Sequence, residues 1–133
     1  MKLTNNLSLK RKAGMTLLEL TVVILVLLSL ITILFIGARA WKKGSDRSTN
    51  LINIRNCQQA MRGHQNTKQL AFGDPFTQTM LEDYMKFPAT VATVTYTAGT
   101  VVTPTGTLWL VASTDGLVGG DYGPKAVADY SEW

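Results

Sequence analysis

Residues 20–38 carry no charge, and Glu19 and Arg39 bracket them. The run opens Leu20-Thr21-Val22-Val23-Ile24 and closes Leu34-Phe35-Ile36-Gly37-Ala38. At about 1.5 Å per helical residue it comes close to the roughly 30 Å hydrocarbon core of a bilayer. Thr21, Ser29 and Thr32 interrupt it chemically but not structurally, because their hydroxyls can return hydrogen bonds to the helix backbone. In front stand Lys10-Arg11-Lys12-Ala13-Gly14, then Met15-Thr16-Leu17-Leu18 and Glu19. Whatever the chain folds into must accommodate this segment.

Three readings fit the segment. As a secretory signal it offers a basic start, an apolar stretch and an Ala38-Arg39-Ala40 site of suitable form. Its apolar run, however, exceeds the usual 7–15 or so residues, and a carboxylate at its start would be costly. As a plain signal anchor it explains the run and the cations but leaves Gly14 and Glu19 without a purpose. The third reading rests on a resemblance to a known family.

The basic triplet, Gly14, the Met15-Thr16-Leu17-Leu18-Glu19 continuation and the long apolar helix resemble the class III signal of type IV pilins and type II secretion pseudopilins. The match covers about residues 8–38. The resemblance implies that a prepilin peptidase cuts after Gly14 on the cytoplasmic side and that Met15 becomes the N-methylated first residue. Lys10, Arg11 and Lys12 are then the leader charges. Glu19 takes the place of the family's glutamate at the fifth mature position. Phenylalanine is more usual where Met15 stands, and methionine is an accepted variant. Glu19 of one subunit would pair with the Met15 amine of its neighbour, a charge-assisted bond that fixes axial register.

The charge count agrees with a separable leader. The formal charge is +4, but Lys2, Lys10, Arg11 and Lys12 all precede Gly14; the nine basic residues left balance the 9 acidic ones. No basic stripe survives to suggest nucleic acid as a partner. Arg39, Lys42, Lys43 and Arg47 follow the apolar run and suit lipid headgroups. Trp41 suits the membrane interface. A single cysteine, Cys57, permits no internal disulfide, so the disulfide-closed loop common in type IVa pilins is excluded. No Ser/His/Asp set, phosphate loop or convergent carboxylate pair suggests an enzyme.

Beyond the apolar run the helix pattern resumes over 45–69, with Leu51, Ile54, Cys57 (or Gln58) and Met61 as a stripe and Asn50, Asn53, Asn56 and Gln59 between. Gly63 or Gly73 is expected to end it, and His64 is expected on the surface or as a cap. Asp74 and Pro75 predict a second helix as N-cap and first residue, carrying Phe76, Met80, Leu81 and Tyr84. Residues 89–114 are rich in threonine and valine and predict a hairpin or three-stranded meander. Val101-Val102 would be a short edge strand, and Val94, Tyr96, Leu108 and Leu110 the apolar face. Gly116, Gly119, Gly120 and Gly123 punctuate the tail, and Trp133 is expected to pack back. Asp115, Asp121 and Asp129 are candidate calcium ligands, a site the pseudopilin resemblance suggests, although turn-making is the commoner role of such residues.

The expected fold is α+β and pilin-like: a long N-terminal helix, membrane-spanning then amphipathic, packed by a short helix and a small antiparallel sheet. Residues 1–14 form the leader, 15–40 the transmembrane and filament-core helix, and 41–133 the periplasmic or surface domain. The expected function is that of a structural filament subunit, anchored in the bacterial inner membrane before assembly. Its partners would be further copies of itself, other pilins or pseudopilins, the peptidase, an assembly platform and ATPase, and lipid. The rival is an uncleaved, signal-anchored periplasmic binding module.

Overall fold

The computed structural model describes residues 14, 16–118, 120–124 and 131–133. The elements are α1 (Leu17–Lys68), α2 (Gln78–Glu82), β1 (Tyr96–Ala98), β2 (Leu110–Ala112) and one 3-10 turn (Thr114–Gly116). The chain divides into two units, the first ending at Ala38 and the second starting at Arg39.

The first unit is the apolar part of α1. Every large apolar side chain from Leu17 to Ile36 is at least 44% exposed. The hydroxyls behave as expected: Thr21 donates to the Leu18 carbonyl at 2.8 Å, Ser29 to Val26 at 2.7 Å and Thr32 to Leu28 at 2.8 Å. With its polar groups satisfied internally and its apolar ones displayed all round, this helix is long and apolar enough to cross a membrane. It stays helical through Gly37 and Gly44.

The second unit builds its core on the other part of α1. Ile54, Cys57 and Met61 meet Phe76, Leu81, Val94, Val102, Trp109, Leu110 and Ala112. Trp109 is the largest of these; its indole Nε1 donates to the Phe76 carbonyl at 3.1 Å, and its ring meets Phe76 edge-on with centroids 5.1 Å apart. Gly99 leaves room for that ring: a Cβ there would lie 2.7 Å from Trp109 Cδ1.

Neither Gly63 nor Gly73 ends α1. Gly63 lies inside it, and the helix stops at Lys68 because Gln69 turns left-handed at φ 54°. The Leu70 N–H then reaches back to the Gln65 carbonyl at 3.0 Å, the longer bond of a Schellman closure, normally built around glycine. Gly73, at φ 93°, makes the turn that follows.

The Asp74-Pro75 helix start is also corrected. The Asp74 carboxylate accepts from the Ala71 N–H at 2.7 Å, Pro75 forms an antiparallel bridge to Val101, and α2 begins only after Thr77. Residues 73–76 pair with 100–102 instead: Gly73 N–H to Val102 O at 2.9 Å, Val102 N–H to Asp74 O at 2.8 Å, and Phe76 N–H to Thr100 O at 2.9 Å. Val101-Val102 therefore pairs with the segment before α2, not with the hairpin. The sheet itself has two antiparallel strands, with Tyr96 opposite Ala112 and Ala98 opposite Leu110.

Candidate functional site

The residues that carry the processing and assembly reading lie at the start of α1. Met15, Lys10, Arg11 and Lys12 are outside the described residues. Around Gly14, a Cβ would meet nothing within 4 Å, so packing among the described residues does not demand glycine there.

Glu19 sits on the first turn of α1. Its Oε2 accepts the Thr16 N–H at 3.0 Å, and its own N–H donates to Thr16 Oγ1 at 3.2 Å. Thr16 and Glu19 thus form a reciprocal capping box, which satisfies two of the N–H groups a helix start leaves orphaned. The positive end of the helix dipole adds to the attraction. The Thr-x-x-Glu spacing is the signal that reveals this bond in the sequence; the reading above assigns Glu19 only an assembly role. One oxygen serves the cap, so the carboxylate keeps acceptor capacity for a second partner.

Of the three candidate calcium ligands, the two described, Asp115 and Asp121, each bond a different neighbour. Asp115 Oδ2 accepts the Thr93 hydroxyl at 2.7 Å. Asp121 Oδ1 lies 2.8 Å from Lys43 Nζ, and this hydrogen bond and charge hold its carboxyl below the usual range. Asp129 is outside the described residues. Among the described residues, no three His, Cys, Asp or Glu side chains converge.

The 115–123 loop is instead held by turns and by α1. Tyr122 N–H donates to Asp115 O at 2.8 Å, and Gly120 N–H to Leu117 O at 2.9 Å. From the helix, Arg47 donates to Asp121 O at 3.0 Å, and Asn50 donates to Gly116 O at 3.2 Å and Tyr122 O at 2.8 Å. Asn50 is wholly buried, not one of the outward polar residues of the expected pattern. The Tyr96 hydroxyl donates to its Oδ1 at 2.9 Å, and burial raises the Tyr96 pKa.

Gln58 repeats the device eight residues, about two turns, further on. Its Oε1 accepts the Trp109 N–H at 3.0 Å and its Nε2 donates to Thr107 O at 3.1 Å. One amide therefore offers the entry to β2 the same pair of bonds that a neighbouring strand would. Arg62, whose pKa burial lowers, completes the series by donating to Thr103 O at 2.6 Å and Trp133 O at 3.3 Å.

His64 departs from the surface role expected of it. It is 9% exposed, with Nδ1 3.0 Å from the Tyr84 hydroxyl and its ring 5.1 Å from that of Phe76. Cys57 packs as a small apolar residue; burial pushes its thiol up to about 11, which leaves it unreactive at neutral pH. Trp133 packs against the core, with the Arg55 guanidinium 5.5 Å from its ring centre. In comparisons with known proteins, no family profile, no curated sequence and no solved structure matches this chain.

Proposed function

We propose that the chain is a pilin or pseudopilin. It is cleaved after Gly14, N-methylated at Met15 and polymerised into a type IV pilus-like or type II secretion pseudopilus filament. The protein is a structural subunit and not an enzyme. It waits in the inner membrane with residues 41–133 on the periplasmic side, then leaves the bilayer as other subunits' helices replace the lipid. The peptidase, the platform protein and the ATPase enter through the family resemblance alone.

The observation that carries this reading is Glu19. A carboxylate at the border of a helix whose displayed side chains up to Ala38 are apolar, apart from three hydroxyls bonded back to its own backbone, is expensive in lipid unless it finds a partner. The capping box supplies one, locally. The methylated amine of a neighbouring Met15 supplies the second and turns a liability into a register mark. Gly14, where the described residues leave open space, is consistent with a glycine kept for recognition by a peptidase rather than for folding.

Intact mass and N-terminal sequencing of the membrane-extracted chain test the processing step. A product beginning at methylated Met15 is expected. A chain that retains Lys10-Arg11-Lys12 supports the anchored binding module instead, and a start at Trp41 the secretory signal. Glu19→Val tests assembly separately: cleavage should persist while filaments are lost, and unchanged filaments would remove Glu19 from the mechanism.

A further inference from the structure

A groove runs along α1 in the second unit. Arg55, Gln59, Arg62 and Asn66 form its floor, Trp133 stands on its wall, and its volume is about 650 Å³. An apolar recess of about 210 Å³, lined by Leu51, Ile52, Arg55 and Trp133, adjoins it. Two guanidiniums face this groove against one carboxylate, Glu132 on the rim. Arg55 and Arg62 are seven residues apart, so they share a helix face about 10 Å apart along the axis.

A patch of net opposite sign lies at the end of α2, two exposed carboxylates followed by one exposed cation, Lys86. Glu82 and Asp83 are exposed, and Tyr84 beside them is 49% exposed. Lys43–Asp121 is the only salt bridge among the described residues, so among them neither Glu82 nor Asp83 finds a cation and Arg55 finds no carboxylate.

The two patches cannot meet within one copy. Tyr84 is fixed to His64, with its hydroxyl 3.0 Å from Nδ1. His64 follows Arg55 by nine residues, about 180° around the helix, and follows Arg62 by two, about 160° away on the shorter arc. The acidic end of α2 and the basic groove therefore occupy opposite flanks of α1. Complementary patches on opposite flanks make a contact between unlike surfaces of like subunits, the kind that propagates instead of closing a two-fold dimer.

We infer that the groove receives the Glu82–Asp83 end of α2 from a second copy of this chain. Arg55 and Arg62 would face the carboxylates, and the recess beside Trp133 would take the exposed part of Tyr84. The inference rests on the filament reading, for which it supplies the lateral contact between globular domains.

The test uses the full chain in membranes, co-expressing one copy carrying Gln59→Cys with another carrying Asp83→Cys. Cys57 is fully buried and silent. A short thiol cross-linker should give a mixed dimer from the pair and none from either variant alone. Adding Arg55→Glu to the groove copy should cut the yield about two- to five-fold, the range of an exposed ion pair, and Glu82→Arg in the partner copy should restore it. No mixed dimer, a yield indifferent to Arg55→Glu, or equal cross-linking of either variant alone overturns the inference. The mass of the same chains separates the two ideas. Mature chains without the mixed dimer sink the groove contact alone. A mixed dimer between uncleaved chains sinks the filament reading and leaves the contact standing.

Discussion

The two parts of α1 solve the same problem in opposite ways. Up to Ala38 the helix satisfies its own polar groups and leaves its apolar side chains, from Leu17 to Ile36, displayed. From Arg39 on, the helix buries part of its polar complement, and Asn50 and Gln58 spend their amides on the main chain of distant segments. The first part is unfinished until lipid or other helices surround it. The second carries its covering in its own sequence. One helix can therefore be an environment-dependent anchor and an autonomous core wall, and the difference lies in which groups are left without partners.

That contrast can be broken most severely at Trp109. Trp109→Ala removes the largest buried side chain and its bond to Phe76 O. A loss of about 3–5 kcal/mol is expected. Hydrogen exchange should then show protection collapsing in the second unit while amides of residues 20–36 in detergent or bilayer remain protected. Equal loss in both parts would mean that the anchor depends on the core.

A sharper cut is Gln58→Leu. It keeps an apolar-compatible volume but strands the Trp109 N–H and leaves the Thr107 carbonyl with the Thr103 hydroxyl alone. Unpaired buried groups cost about 1–3 kcal/mol, read as a lower urea midpoint. Gln59→Leu on the exposed neighbouring position should leave the midpoint in place. If the two substitutions behaved alike, the strand-like role of the Gln58 amide would be wrong.

The smallest effect belongs to Lys43–Asp121. Because the folded carboxyl is held below its ordinary range, the pair is complete at neutral pH. Its contribution is lost as pH falls below about 4 and through the lowered value. Asp121→Asn should reduce the acid sensitivity of the second unit slightly and leave neutral stability nearly unchanged. NMR titration of the Asp121 carboxyl checks the direction, and a normal midpoint would show that Lys43 does not hold it.

Much of the first part was legible from residues alone, because its signals are local. An uncharged run and hydroxyls that bond one turn back need no knowledge of distant chain, and nor does the stripe at Ile54, Cys57 and Met61 in the second part. The Thr16–Glu19 box is equally local, a Thr-x-x-Glu spacing four residues wide. The second part was less readable where pairing is remote. Asn50 looks like a solvent-facing polar residue until Gly116 and Tyr122 are folded over it. Asp74-Pro75 carries a good helix-start pattern, yet the bridge to Val101 claims that backbone first. Gln69 takes a left-handed turn with glycines available at Gly63 and Gly73, because the chain must leave the helix where Leu70 can pack.

Asn50, Gln58, Arg47 and Arg62 have one further property in common: each grips main-chain carbonyls or N–H groups. A helix that recognises backbone is blind to the letters written on it. The side chains of residues 117, 118 and 105 can change without loosening the grip, whereas Thr103 and Asp121 also offer α1 their side chains. Relatives of this chain could thus carry very different outer surfaces over one unchanged helix face, and an engineer wishing to display a foreign loop would begin there.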